Sequence, residues 1–414
     1  MAPKLYPRTT LALLTAINLI NYIDRSVLFA VQPLVQQEFH QSDRTFGFLT
    51  SAFFLAYMCF APIAGMLGDR YARRMIVVIG IAVWSGATLL TAVTYDFSTL
   101  LVRHAIVGIG EASYATIAPA LIADLFPEHK RGRMLSVFYL AIPVGTAAGY
   151  ILGGYLGHLY GWRTPFYVAA APGFLLAGLM AMVPEPERGG TDHLAATAER
   201  DTIVGVLLHN PAFWTASLGM AMMTFALGGM QVWMPTFLSR MRGIPLDRAN
   251  LIFGATVAFN GVVATMAGGW LGDRLLRRTY TAYYLVSAVG MAAALPLMLG
   301  AIYLTGRTMF PSIIVAEFFL LLNTGPLNAA VVNSVGAHVR SSAIALNLIV
   351  IHILGDVPSP PLIGWISDKT NLQTGFLAGV LAIGLSAAIL FAGMRYAPKL
   401  RPEQVLANQS GTGH

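Results

Sequence analysis

Charge is what this sequence has least of. Only 11% of its 414 residues are Asp, Glu, Lys or Arg, against 56% that are hydrophobic. So few charged side chains cannot cover the surface of two or three soluble domains, which excludes water as the main solvent of the chain. Cysteine is nearly absent as well. The single Cys59 lies in an apolar stretch, so no internal disulfide and no cysteine-ligated metal cluster can form. There is no H-E-x-x-H pair, no Walker loop and no nucleophile elbow on a strand. An enzyme is therefore not expected, and neither a cofactor nor a metal is implied. Without a nucleotide-binding domain, any energy source must be an ion gradient. Long polar stretches are missing too, apart from one between Pro184 and Asn210.

What fills the chain instead is a series of apolar runs of about 20 residues, the length that crosses a bilayer. They predict twelve membrane-spanning helices near 9–38, 44–68, 73–94, 98–126, 131–157, 163–183, 211–239, 249–271, 280–304, 309–335, 341–366 and 372–396. Lys4 and Arg8 precede the first run as they would in a secretion signal. No small-residue cleavage site follows, and Asn18, Asn21, Asp24 and Arg25 interrupt the run, so it reads as a spanning helix. The expected domains are a six-helix bundle at 1–183, a cytoplasmic linker at 184–210 with a short amphipathic helix near Ile203 to Leu208, a second bundle at 211–396, and a tail at 397–414. The formal charge of +7 is spread over short loops rather than gathered in a stripe, so no nucleic acid is implied. About 17 of the 26 Lys and Arg fall on the side of both termini and about 7 opposite, a bias that places both ends in the cytoplasm.

An internal repeat adds architecture to the helix count. Gly65-Met66-Leu67-Gly68-Asp69-Arg70-Tyr71-Ala72-Arg73-Arg74 follows the second run, and Gly269-Trp270-Leu271-Gly272-Asp273-Arg274-Leu275-Leu276-Arg277-Arg278 follows the eighth, 204 residues later. A weaker echo links Gly154–Phe166 with Gly364–Phe376 at an offset of 210. Two parallel six-helix repeats with a midplane site between them are a transporter architecture. The duplicated G-x-L-x-D-R-x-x-R-R pattern resembles the loop motif of the major facilitator superfamily. Asn21-Tyr22-Ile23-Asp24-Arg25, Gly108-Ile109-Gly110-Glu111-Ala112-Ser113-Tyr114, Ala141-Ile142-Pro143-Val144-Gly145 and Trp233-Met234-Pro235-Thr236-Phe237-Leu238 together resemble its Spinster branch. That resemblance implies an all-α membrane fold of two pseudo-symmetric bundles and alternating access. It also implies proton-coupled movement of amphiphilic lipids, such as lysophospholipids or sphingosine-1-phosphate-like molecules.

Asp24 is the sharpest single residue. A carboxylate some four turns into a spanning helix costs a few kcal/mol unless a proton or a cation neutralises it. Asp24 and Glu111 are therefore the candidate proton carriers, or else buried groups that only hold helices together. Arg25, Arg103 and His104 are their candidate charge partners. The resemblance places an arginine seven residues before the glutamate, where this chain has His104 with Arg103 beside it. Three readings stand: Arg103 reaches the site through local distortion, His104 supplies a titratable cation, or the position is altered and the site impaired. Asn21, Tyr22, Tyr114, Trp233, Glu317, Asn323 and Asn347 are the expected substrate contacts.

The two loop motifs, through Asp69, Arg70 and Arg73 and through Asp273, Arg274 and Arg277, are expected to gate access by bridging helix ends. Their cations also serve the inside-positive bias, and Ala72 stands where the superfamily usually has glycine. Gly145, Gly149, Gly153 and Gly157 leave one helix face almost bare for close packing, with a bend at Pro143. His352 and Asp356 share a face as a second relay or a structural pair, and Met220, Met222, Met223 and Phe225 form a wall suited to an acyl chain or to packing. The expected partners are an amphiphilic lipid or a small organic anion, protons and membrane lipids, and the expected state is a monomer in a bacterial cytoplasmic membrane. An organic-anion or sugar-acid symporter of the same fold is the alternative. A non-transporting receptor or scaffold would need no carboxylates at the midplane.

Overall fold

The computed structural model describes residues 6–186, 207–335 and 340–399, and among them there are helices and connecting turns but no strand. Among the described residues, twelve helices are long and apolar enough to cross a membrane, as the hydropathy predicts. In the first half, α1 (Pro7–Ala30) and α2 (Gln32–Phe39) share the first apolar run. They are followed by α3 (Asp43–Arg70), α4 (Arg73–Thr91) and α5 (Phe97–Leu125). The fifth span is divided into α6 (Glu128–Tyr139) and α7 (Ala141–Tyr160), and α8 (Thr164–Ala181) completes the half. The second half contains α9 (Pro211–Arg242), α10 (Leu246–Leu276) and α11 (Ala282–Tyr303). Next come α12 (Met309–Leu321) with α13 (Thr324–Asn333), α14 (Arg340–Ile351) with α15 (Ser359–Lys369), and α16 (Leu372–Gly393).

The interruptions have a common cause. Proline has no N–H to donate, and its ring collides with the carbonyl four residues earlier. Pro33 opposes Phe29 and separates α1 from α2, so the run predicted as one helix over 9–38 is two. Pro143 opposes Tyr139 and produces the break at Leu140, close to where a bend was expected. Pro326 and Pro358 stand beside the other two breaks. Before Pro358, residues 352–356 widen into a π-helical turn in which the Val357 N–H reaches back to the His352 carbonyl at 3.0 Å. The linker helix expected near 203–208 and the tail beyond 399 lie mostly or wholly outside the described residues.

The chain forms two compact units, Met1–Ala195 with Val232–Ala258, and Ala196–Gln231 with Phe259–His414. In the first, α3 packs on α5, α4 on α5 and α8, and α1 along α7. The glycine face of α7 makes the last of these possible. A Cβ built on Gly145 would stand 2.6 Å from the Leu19 carbonyl oxygen, and one on Gly149 2.5 Å from that of Ile23, so the backbones touch only because those side chains are absent. One end of the unit is held by Glu38. Its carboxylate accepts from both Arg163 guanidinium nitrogens, at 2.6 and 2.7 Å, and from the Trp162 ring nitrogen at 2.6 Å. Arg163 beside it, then Trp162, hold the Glu38 carboxyl below its usual range. In the second unit, α11 lies between α16 and α12, and α15 packs on α16. There Tyr284 donates to the Ala212 carbonyl at 2.6 Å and Ser386 to that of Gly219 at 2.7 Å.

Candidate functional site

Helical spacing brings the polar residues of the first unit onto two facing stripes. Asn21, Asp24 and Arg25 stand at i, i+3 and i+4 on α1, and His104, Gly108 and Glu111 at i, i+4 and i+7 on α5, so each trio shares a face. Between them Arg25 binds Glu111. Its Nε donates to Oε2 at 3.2 Å, and Nη2 bonds to the same oxygen. Glu111 is fully buried, with Oε1 left without a partner. The Arg25 guanidinium is enclosed by aromatic rings, 4.6 Å from the centre of Phe53, 4.9 Å from Tyr22 and 5.7 Å from Phe54. Such rings attract a cation where water does not.

Asp24 is buried beside this pair, yet its Oδ2 is held by a neutral group, the Thr88 hydroxyl of α4 at 2.5 Å. The cluster thus contains two buried carboxylates and one bonded guanidinium. A buried charge requires a partner or a proton. Asn21 is also buried here, with its amide nitrogen unpartnered.

His104 and Arg103 part company. The buried His104 ring lies 5.4 Å from Phe53, the ring that also faces Arg25. Arg103 turns away by one helical step and donates to the Thr94 hydroxyl at 2.5 Å and to the Leu90 carbonyl. It bonds at the C-terminal end of α4, apart from the carboxylate cluster in which it is expected as a charge partner.

The other expected contacts are scattered. Tyr114 is buried in the core of the first unit, edge-on to Trp84, and its hydroxyl donates to the Leu14 carbonyl at 2.5 Å. Trp233 is fully buried against Phe46. Asn323 spends its amide on the Phe319 carbonyl at 2.7 Å, within the break between α12 and α13. These three pack or cap, and none is arranged as an open contact. Glu317 accepts from Asn260 of α10 at 3.2 Å, and Asn260 also reaches the Ile314 carbonyl at 2.9 Å. Asn347 donates to the Met220 sulfur at 3.6 Å. Met220, Met223 and Phe225 are buried within the second unit, so packing is the role seen for them. His352 and Asp356 bond at 2.7 Å across the π-helical turn.

The first loop motif works through Arg73. Its guanidinium bonds to Asp124 of α5 at 2.5 Å, to Glu185 at 3.5 Å and to the Pro186 carbonyl at 3.3 Å. Glu185 in turn accepts the free N–H groups of Arg73 and Arg74 at 3.0 and 2.9 Å, placing a carboxylate at the N-terminus of α4. Asp69 and Arg70 are exposed. The second copy is wired differently. Asp273 accepts from Tyr283 at 2.9 Å, Arg274 lies over the Trp270 ring, and Arg277 is exposed.

Spacing within one helix reveals none of the partners from other helices: Thr88, Phe53, Asp124 and Asn260. Two signals were available. Glu185 stands between two prolines directly after the sixth span, and Glu317 follows Glu111 by 206 residues, between the two repeat offsets.

The model of the Major Facilitator Superfamily matches residues 14–355. Protein spinster homolog 3 of Danio rerio is 38% identical over 381 residues, 87% of this chain and 76% of the relative. Protein spinster homolog 1 of Homo sapiens is 35% identical over 405 residues, 91% of this chain and 76% of the relative. Among solved structures, a bacterial homologue of the human lysosomal transporter Spinster, inward-facing and unoccupied, has a TM-score of 0.88 at 23% identity, covering 96% of this chain and 98% of that one. The fucose transporter FucP in its outward conformation shares the fold at a TM-score of 0.61 and 18% identity, covering 94% of this chain and 99% of that one. The chain belongs to the major facilitator superfamily and, within it, is a membrane transporter of the Spinster type, not an enzyme.

Proposed function

We propose that this protein moves single-chain amphiphilic lipids, of the lysophospholipid or sphingosine-1-phosphate-like class, in exchange with or alongside protons. Both termini then lie in the cytoplasm, and the membrane is a bacterial cytoplasmic one. The observation that carries the coupling is the charge count of the α1–α5 cluster: among the described residues, Glu111 is bonded to Arg25, whereas Asp24 is bonded to the neutral Thr88 hydroxyl. The arrangement accommodates one more positive charge, and a proton is the smallest that fits. Glu111 keeps Arg25 neutralised while the site is empty. An anionic headgroup that takes Arg25 frees Glu111, which then needs a proton of its own, and this links substrate to protons through one guanidinium.

Support for the lipid comes from the aromatic cage of Tyr22, Phe53 and Phe54 around the cation, and from the motif resemblance to the Spinster branch. The inside-positive bias supports the sidedness. The test is uptake of a radiolabelled lysophospholipid by proteoliposomes under an imposed pH gradient. Uptake is expected to follow the gradient in the wild type and to stop following it in Asp24→Asn/Glu111→Gln, which removes both carboxylates that can take the proton. Uptake indifferent to the gradient refutes the coupling, and gradient-driven uptake of a small organic acid with none of the lysolipid refutes the cargo.

A further inference from the structure

Apart from the carboxylate cluster, the first unit contains a cavity of about 960 Å³ between the start of α1, the end of α5 and α6. Its wall is mainly apolar and includes Leu11, Phe126 and Met134, with Arg8, Lys130 and Arg133 around it. The described residues that line it include those three cations and no carboxylate. All three cations are exposed, and among the described residues none has a hydrogen-bonding or ion-pair partner for its side chain.

Arg131, between two of them in sequence, shows the contrast. Its Nε donates to the Ala123 carbonyl at 2.9 Å and to the Phe126 carbonyl at 3.1 Å, fastening α6 to the end of α5. The structural need for a cation in this turn is thus met by Arg131, and the others remain available to an outside anion.

We infer that this cavity binds an anionic diacyl phospholipid of the leaflet that the N-terminus faces, cytoplasmic by the sidedness proposed above. Its phosphate lies among Arg8, Lys130 and Arg133, with the start of its chains against the apolar wall. A soluble anion would gain nothing from such a wall, and an uncharged lipid nothing from the cations. The cavity lies at the ends of spanning helices, at the depth where headgroups reside. Bound there, the headgroup ties the first turn of α1 to α6, the segment on the N-terminal side of the break at Leu140. On α1, Asn18 already donates to the Phe138 carbonyl at 3.0 Å, so the lipid would add a second fastening below an existing one.

The test is native mass spectrometry of the full chain released from vesicles of equal phosphatidylglycerol and phosphatidylcholine. The expected result is one retained phosphatidylglycerol in preference to phosphatidylcholine, weakened by salt. Each Lys or Arg near an anionic surface contributes about five-fold in affinity, on the order of 100-fold for three. Arg8→Gln/Lys130→Gln/Arg133→Gln should therefore lose the lipid. The charge-matched Arg278→Gln/Arg395→Gln/Lys399→Gln should keep it. Equal retention of the two lipids by the wild type, which requires no variant to fold, overturns the assignment. So does equal retention by the two triple variants, or replacement of the diacyl lipid by an equimolar lysolipid. None of these readouts depends on proton coupling, so this inference and the proposed transport reaction can fail separately.

Discussion

Arg25→Gln gives the sharpest account of the central pair. The substitution removes the cation bonded to Glu111, a side chain with no exposure and, among the described residues, with its second oxygen already unpartnered. Breaking a buried ion pair from one side costs about 3–5 kcal/mol, because the remaining charge keeps its desolvation penalty without its partner. The aromatic contacts to Tyr22, Phe53 and Phe54 add about 1 kcal/mol for a desolvated cation. Glu111→Gln should cost a similar amount, since it strands Arg25. The double variant should recover most of either loss, since two neutral amides leave no unpaired charge at these two positions. Unfolding in mixed micelles at pH 8, followed by tryptophan fluorescence, would measure all four proteins. The expected coupling energy is at least about 2 kcal/mol, within the range for contacting residues. Additivity within about 0.5 kcal/mol would mean that the two side chains do not depend on each other and would refute the reasoning.

Three further outcomes follow from geometry elsewhere. Gly149→Ala places a Cβ 2.5 Å from the Ile23 carbonyl oxygen and 2.7 Å from the Ser26 Cβ, so α7 must move off α1 at a cost of about 1–3 kcal/mol, read as reduced stability in the same micelles. Arg73→Ala leaves Asp124 and Glu185 without their shared cation, and labelling rates of cysteines introduced near the start of α4 should rise; unchanged rates contradict a locking role. Glu38→Gln removes a carboxylate whose pKa is depressed by Arg163 and Trp162. A depressed group stabilises above its unfolded value, and the contribution is lost as pH falls through the folded one. The melting difference from wild type should thus be full at pH 7 and vanish in acid. It stays on the order of 1 kcal/mol or less, because both side chains are partly exposed. A difference that grows in acid would reverse the sign of the argument.

The fold was legible because bilayer thickness imposes a length on every apolar run, and the duplicated Gly-Asp-Arg-Arg loops mark the two halves without reference to packing. The glycine spacing of α7 was legible for the same reason: an interval of four places all the bare positions on one face, and α1 occupies it. What a sequence leaves open is the choice of partner between helices. Asp24 is conspicuous in a hydrophobic run, yet nothing in its neighbourhood in sequence names Thr88. Arg103 and His104 differ by one position, and only the direction in which α5 presents that turn decides which of them faces Phe53. Tyr114, Trp233 and Asn323 drew attention as polar or amphipathic groups at membrane depth. Tyr114 donates its hydroxyl, Asn323 donates its amide nitrogen and Trp233 packs its ring, each within its own unit.

The most direct test of the central claim is the pH inside sealed proteoliposomes, followed with a trapped pH-sensitive dye, when a lysophospholipid is added without any imposed gradient. The charge count at Asp24, Arg25 and Glu111 predicts a lysolipid-dependent change in internal pH with the wild type and none with Asp24→Asn/Glu111→Gln. Lysolipid transfer that leaves the internal pH unchanged in the wild type would contradict it.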